Sequence, residues 1–473
     1  MSEEQGASGG AGELLFAGTG SWGLVGRGSK TKNWDGREDV QYPTFSRLAP
    51  LKGVPIALVV SGATACHTVA ISRAGAAYVW GRNEEGQLGL GDRRNRYNPT
   101  PLVVGGGSNG ALVKGAACGA AHTLIWTVPP EGGGSSVSLF GCGRDECGQL
   151  GLGRAQEAVL KPSPCSALAG TAIVAGGAGR DFSCVVDADG GVYTMGRPEY
   201  GQLGNGTEGK SLERAGKITF SDVHRPERVQ FPSGSAVKAR RISCGQNHTA
   251  MVDDDGYLWT WGFGGYGRCG HKDSKDVLRP RSVELFETAP TPYQEMCGVK
   301  PNRAEDVVCG AACTYVVSNV RALYFFGITK RSGEATMYPK LVDDVSGWAV
   351  RSVSSGFSST LVAAETSLIS FGPSPTWGEL GYGPDGPKSS TRAQKVDSIE
   401  GSSILQVASG YGHSLAILDT ESGAGKALID EDKIPTLDLD EVEDHVAEGS
   451  SAGGEKRKAG GGRGKGKAKR GRK

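Results

Sequence analysis

Long apolar runs are missing from this 473-residue chain. No stretch reaches the roughly 18 consecutive apolar residues of a membrane-crossing helix, so no helical span is expected. The opening residues, MSEEQGASGG, are acidic and polar and hold no signal-peptide core. Helical amphipathicity is missing too: no segment sustains an apolar stripe at a period of 3.6. Eleven cysteines are scattered without zinc-ligand spacing. Cys309 and Cys313, four apart, make a poor half-site. Cys118, Cys244 and Cys309 share one repeat slot and are expected as small buried fillers. Such usage fits a reducing compartment, cytosol or nucleus. Neither HExxH nor GxSxG on a strand-to-helix turn occurs, so nothing argues for metal or covalent catalysis. A net excess of one charge is missing as well, since 52 Lys+Arg against 51 Asp+Glu leave +1. The charge is segregated instead. Residues 455–473 hold ten Lys/Arg and one Glu, residues 430–448 nine Asp/Glu and one Lys, and the remainder is close to neutral.

Repetition is what the chain has in abundance. GRNEEGQLGLG (Gly81–Gly91), GRDECGQLGLG (Gly143–Gly153), GRPEYGQLGNG (Gly196–Gly206), GFGGYGRCG (Gly262–Gly270) and GPSPTWGELGYG (Gly372–Gly383) are copies of one motif. GTGSWGLVG from Gly18 and GITKRSGEA from Gly327 are degenerate copies. A second motif alternates with it: CGAAHTL (Cys118–Leu124), CGQNHTA (Cys244–Ala250) and SGYGHSL (Ser409–Leu415), with weaker copies from Gly62, Gly179, Gly310 and Gly356. Steps of 45 to 66 residues are too long for helical hairpins and suit a four-stranded blade with its loops. Pieces such as Ala57–Ser61, His67–Ser72, Ala76–Trp80 and Pro101–Val104 are short, β-branched or aromatic, and bounded by turn residues. The reading is an all-β, seven-bladed β-propeller of about 28 strands, at roughly four per blade.

The chain opens on the first motif and ends on the second, so Leu14–Ala17 is expected to complete a sheet begun by Leu405–Ser409 and Ser414–Leu418. That closure would remove an open ring's exposed edges. The 76 glycines serve tight reversals that need positive φ. Trp80, Trp261, Phe326 and Phe371 are expected to pack between blades. His122, His248 and His413, in a slot that sister repeats fill with Cys313 or Ser359, are expected to tie a strand to a neighbouring loop rather than to catalyse. Two matches to a dinucleotide fingerprint, Gly18–Gly23 and Gly262–Gly267, fall on the repeat and open no helix, as a phosphate site there would require.

Four parts follow: a disordered N-terminus (1–12), the propeller (13–420), a flexible acidic linker (421–454) and a Gly-rich basic tail (455–473) that cannot bury a core. Lys456, Arg457, Lys458, Arg463, Lys465, Lys467, Lys469, Arg470, Arg472 and Lys473 make that tail a candidate import signal or phosphate-backbone binder.

The repeat GRNEEGQLGLGD with its partner CGxxHT resembles the regulator of chromosome condensation family of seven-bladed propellers, over about residues 13–420. WGFGGYGRCGH (Trp261–His271), TMYPK (Thr336–Lys340), FGPSPTWGELGYG (Phe371–Gly383), PKSS (Pro387–Ser390) and PEYGQLG (Pro198–Gly204) are similar to its type-two subgroup. The resemblance implies a regulator of small GTPases of the Rac, Arf, Ral or Ran class, like a guanine nucleotide exchange factor. It implies association with chromosomes, centromere and spindle in mitosis, hence nucleus as well as cytosol. A chromatin or microtubule scaffold without exchange activity is the alternative. Neither a cofactor, a metal nor a membrane enters that reading. The family's founding member, an exchange factor for Ran that docks on histone-DNA, uses a protruding insertion near its third blade. The corresponding gap here, Thr207–Arg240, gives no pattern on which to map it, so no exchange residue is carried over. The family's basic arm is N-terminal; here the basic segment is C-terminal.

Departures from the repeat mark candidate partner loops: Glu199 with Tyr200; Phe263, Tyr266 and Arg268; Met337, Tyr338 and Lys340; and Trp377 with Glu379 in Pro375–Glu379. They are expected at the surface, offering aromatics and charges. Alternatively, Tyr266 and Trp377 pack beneath their own turns.

Overall fold

Seven blade sheets, each built on four antiparallel strands, and one separate two-stranded sheet make up the described residues. The structure is a computed structural model and describes residues 12–439, apart from 24, 26–39, 106–109, 129–137, 213–217, 233–236, 290–295, 297, 299, 331–332, 376 and 422. The first blade is Ile56–Val60, His67–Ser72, Ala77–Gly81 and Arg96–Leu102. The second runs from Val113–Cys118 to Gln156–Pro164, and the third from Ile173–Ala178 to Val223–Arg228. The fourth runs from Ala239–Cys244 to Val277–Ser282, the fifth from Ala304–Cys309 to Thr336–Leu341, and the sixth from Val350–Ser355 to Ser390–Lys395. The closing blade combines Ile404–Ser409 and His413–Leu418 with Glu13–Thr19 and Gln41–Leu48. This is the expected seven-bladed β-propeller, closed by both ends of the ring. Leu14 pairs with Ile417 and Phe16 with Leu415, so the N-terminal strand finishes the sheet.

Burial follows position in the blade. The second strand of each blade is buried along its whole length, as in His122–Thr127 and His413–Leu418. A strand flanked by pairing partners and covered on both faces by neighbouring blades has no polar side, hence runs such as TLIWT and SLAIL. Outermost strands such as Thr336–Leu341 and Ser390–Lys395 hold no fully buried residue and face solvent. Trp80, Trp261 and Phe326 end the third strands, are fully buried, and pack against the preceding blade, as expected. The glycine after each permits this: at Gly81, φ is +112° and a Cβ would lie 2.5 Å from the Cys66 carbonyl oxygen.

The acidic segment departs from the flexible linker expected from residue 421. Gly423–Asp430 is helical, and Thr436–Leu437 adds a parallel fifth strand to the closing blade, Arg47 opposite Thr436. Ile434 and Leu439 are buried there. The Arg47 guanidinium donates to the Ile434 carbonyl at 3.0 Å and pairs with Asp432. Apolar residues spaced among the acids (Ile434, Leu437, Leu439) supply the seam that net charge alone concealed. Residues 440–454, the basic tail from Lys456 to Lys473, and residues 1–11 lie outside the described residues.

Candidate partner-binding face

Both repeated motifs lie at one end of the blades. The second motif joins strands one and two; the first joins strands three and four. Antiparallel order puts both connections on the same face of the ring. In each consensus turn the glutamine folds inward. Gln87, Gln149 and Gln202 accept the backbone N–H two residues earlier at 3.0, 3.0 and 2.7 Å. Each turn then rests on the next blade.

Histidines lock these contacts, mainly through a different partner from the one expected. His67 Nε2 meets the Thr123 hydroxyl of the next blade at 2.8 Å. His122 meets Ser183 at 2.8 Å, His248 meets Thr314 at 3.1 Å, and His413 meets Thr68 at 2.9 Å. The main partner is a strand hydroxyl across the blade interface; His413 also meets the Ser61 hydroxyl in the neighbouring loop at 3.2 Å, as expected of a strand-to-loop tie. Thr123 donates to the Gln87 carbonyl at 2.6 Å and Thr314 to that of Arg268 at 2.8 Å, so each accepts from its histidine. Burial pushes His67, His122 and His413 down from 6.5 to about 3, and His248 well below 6.5, which keeps them neutral. Phe182, Cys313 and Ser359 occupy the slot in the other blades and interrupt the belt.

The candidate partner residues divide. Tyr200 and Phe263, from successive blades, meet with ring centroids 4.7 Å apart. The Arg268 guanidinium stacks 4.6 Å from the Phe263 centroid and 5.9 Å from that of Tyr266. Glu199 flanks Tyr200 and pushes its phenol up, secondary to burial. Tyr266 is 49% exposed, held out by a left-handed backbone (φ +62°). These residues form one aromatic cluster on the motif face.

Three expectations need correction. Arg268 is only 3% exposed: it fills the glutamine slot, donates to the Gly265 and Ala311 carbonyls at 2.9 and 3.2 Å, and burial lowers its pKa. Glu379 is fully buried in the same slot, accepting the Trp377 N–H at 2.7 Å and the Ser358 hydroxyl at 3.2 Å, so it is no surface anchor. Trp377 is partly buried, its indole against Gly412. Met337, Tyr338 and Lys340 lie on the outermost strand of the fifth blade rather than in a loop. Met337 packs under the Gly267 turn and its carbonyl accepts the Lys272 N–H, while Tyr338 and Lys340 are exposed.

The Thr207–Arg240 gap, which gave no pattern in the sequence, holds defined structure. Between Gly196 and Val223, in the connection on the motif face, the third blade carries a small two-stranded pair, Lys210–Leu212 with Ile218–Phe220. Arg197 clamps its base, bonding both Asp222 oxygens at 3.2 Å, with its guanidinium 5.8 Å from the Phe220 centroid. Leu212 and Ile218 are 74% and 48% exposed. The only sequence signal was the length of the gap.

The profile described as Regulator of chromosome condensation (RCC1) repeat matches residues 74–126, 189–252 and 255–317. Human Protein RCC2 is 41% identical over 432 residues, covering 88% of this chain and 78% of that protein. The chain belongs to the RCC1 repeat family. A zebrafish Protein RCC2 homolog is 40% identical over 425 residues, 87% of this chain and 81% of its own length. Among solved RCC1-family folds, Prp20p of Saccharomyces cerevisiae, described with its binding to Gsp1p and histones, superposes with a TM-score of 0.63 at 19% identity, covering 91% of this chain and 97% of its own. At that identity the likeness concerns the fold alone. Family membership also accounts for the fingerprint matches: Gly262–Gly267 ends a blade strand and enters a single tight turn, with no helix N-terminus for a phosphate.

Proposed function

We propose that this chain is a small-GTPase regulator of the exchange-factor type, engaging its partner through the motif face. The observation that carries the reading is the hairpin. It lies on that face, in the third blade, its base rigid through Arg197–Asp222 and its apolar residues Leu212 and Ile218 unshielded. Exposed apolar residues on a clamped hairpin suit insertion into a partner. The Tyr200–Phe263–Tyr266 cluster lies one blade further on and offers a second contact. Exchange needs no covalent step. A face that holds the nucleotide-free GTPase better than the loaded one shifts the population toward release. Relatives support the class: Prp20p is described with Gsp1p and histones, and the RCC2 proteins share about 40% of their residues with this chain. In the same reading the tail of residues 455–473 directs the chain to the nucleus and contacts chromatin phosphates.

The test is release of a fluorescent guanine nucleotide from Ran-, Rac-, Arf- and Ral-class GTPases. The full chain should accelerate release from one class, and Leu212→Asp with Ile218→Asp should abolish the acceleration while leaving the ring folded. Binding without acceleration would favour the scaffold.

A further inference from the structure

The fifth blade lacks a part that its sisters have. Fifteen residues separate Gly81 from Arg96 and Gly262 from Val277, but nine separate Gly327 from Thr336. The inward glutamine and the leucine after it have no counterpart in GITKRSGEA. In five other blades this turn seals the next interface. Gly89 sits on Cys142, Gly151 on Met195, Gly204 on Trp261, Gly270 on Phe326 and Gly381 on Phe45. The matching side chain beyond the fifth blade is Phe371, and it alone of the late-strand aromatics Trp80, Trp261, Phe326 and Phe371 is not fully buried. The hydroxyl that would donate to the missing turn, on Thr360, turns instead to the Tyr315 phenol at 3.2 Å. Short Cys313 and Ser359 replace the histidines on both sides, which removes further volume.

The result is a cleft between the fifth and sixth blades. A cavity of about 390 Å³ and a second of about 270 Å³ share Thr329, Phe371 and Pro373 in their walls. Sites for small ligands begin near that size. The larger cavity is lined by Arg268 and Lys330, and no carboxylate lines it among the described residues. The Ser359 hydroxyl, 2% exposed, lines it without a hydrogen-bond partner. Buried polar groups in folded proteins are ordinarily satisfied, so an orphan aimed into a cavity with two cations points to an occupant.

From the sister turns we infer that this cleft receives a partner's peptide turn bearing a leucine-like side chain beside a carboxylate. The leucine would cover Phe371 as Leu88, Leu150 and Leu203 fill the sister interfaces, where all three are buried. The carboxylate would meet Arg268 and Lys330, and backbone or side-chain oxygens would engage Ser359. The inference does not depend on GTPase binding, although Tyr266 and Arg268 border both surfaces.

The chain's own first-blade turn supplies a probe, since Arg82–Asp92 (RNEEGQLGLGD) carries Glu84, Glu85 and Leu88. A fluorescein-labelled cyclic peptide of that sequence is titrated with the full chain and followed by anisotropy. Saturable binding is expected. It should weaken about tenfold or more in Arg268→Gln, which restores the repeat's own residue and so keeps the fold. It should be lost in Thr329→Trp, which fills the shared wall, and in a peptide with Leu88→Ala. The hairpin variant with Leu212→Asp and Ile218→Asp should bind the peptide unchanged, which separates this site from the exchange surface. No saturable binding, or binding indifferent to both Arg268→Gln and Thr329→Trp, would overturn the proposal.

Discussion

Acid should unlock the ring through its histidine belt. His67, His122 and His413 are held at about 3 and His248 well below 6.5, all by burial, whereas the unfolded chain protonates each near 6.5. The unfolded state therefore takes up protons first as pH falls, so the stability present above pH 6.5 is lost progressively toward pH 3. Each of the three held at about 3 contributes about 1.4 kcal/mol per pH unit over that window. These three remove roughly 6 kcal/mol between pH 7 and pH 5, and His248 shifts stability in the same direction, against a domain's usual margin of about 5–15 kcal/mol. Asp145 opposes this. Burial raises it to about 6, so its protonation stabilises the folded state by about 1.4 kcal/mol at pH 5. The net loss remains about 4 kcal/mol or more, and cooperative unfolding is expected as pH falls toward 5 and below. Replacing His122 by Phe, the residue of the equivalent slot at Phe182, removes one titrating group and one hydrogen bond. The variant should be about 1 kcal/mol less stable at pH 8 and about 1 kcal/mol more stable than the parent at pH 5, so the two pH profiles cross. Urea unfolding followed by tryptophan fluorescence at pH 8, 6 and 5 reads this directly. Parallel profiles for parent and His122→Phe would refute the reasoning.

Three further outcomes follow from local geometry. Gly119→Ala places a Cβ 2.2 Å from His122 Cε1 and 2.7 Å from the Gly179 carbonyl oxygen, so urea denaturation should show a loss of about 3 kcal/mol. Glu379→Gln restores the consensus glutamine and keeps an acceptor for the Trp377 N–H; its unfolding midpoint should stay or rise, and a loss beyond about 2 kcal/mol would contradict the slot assignment. Ending the chain at residue 420 strips Arg47 of the Ile434 carbonyl as well as of Asp432, and calorimetry should show a drop of about 2 kcal/mol from the buried carbonyl bond.

The ring was legible because seven copies of two alternating motifs fix blade number, strand order and closure at once. Strand ends shifted by a residue or so, Ala57–Ser61 becoming Ile56–Val60, since glycine and proline mark loops more sharply than ladders mark their ends. Pro101–Val104 began earlier, at Arg96, because an outermost strand tolerates prolines on its unpaired edge. The site was harder to read. Arg268 and Glu379 look like surface charges until the repeats are superposed, when both fall where Gln87, Gln149 and Gln202 turn inward. Superposition would also have exposed the short fifth turn. The hairpin at Lys210–Phe220 and the strand at Thr436–Leu437 belong to no repeat, and their apolar residues are too few to declare a period.

On the proposed function, the motif face distinguishes the nucleotide states of a small GTPase. The most direct measurement compares the affinity of the full chain for nucleotide-free, GDP-loaded and GTP-loaded forms of Ran-, Rac-, Arf- and Ral-class GTPases in one titration format. One class should bind tightest when empty, and the preference should disappear with Leu212→Asp and Ile218→Asp. Equal affinity for all three states in every class, or no binding at all, would contradict it.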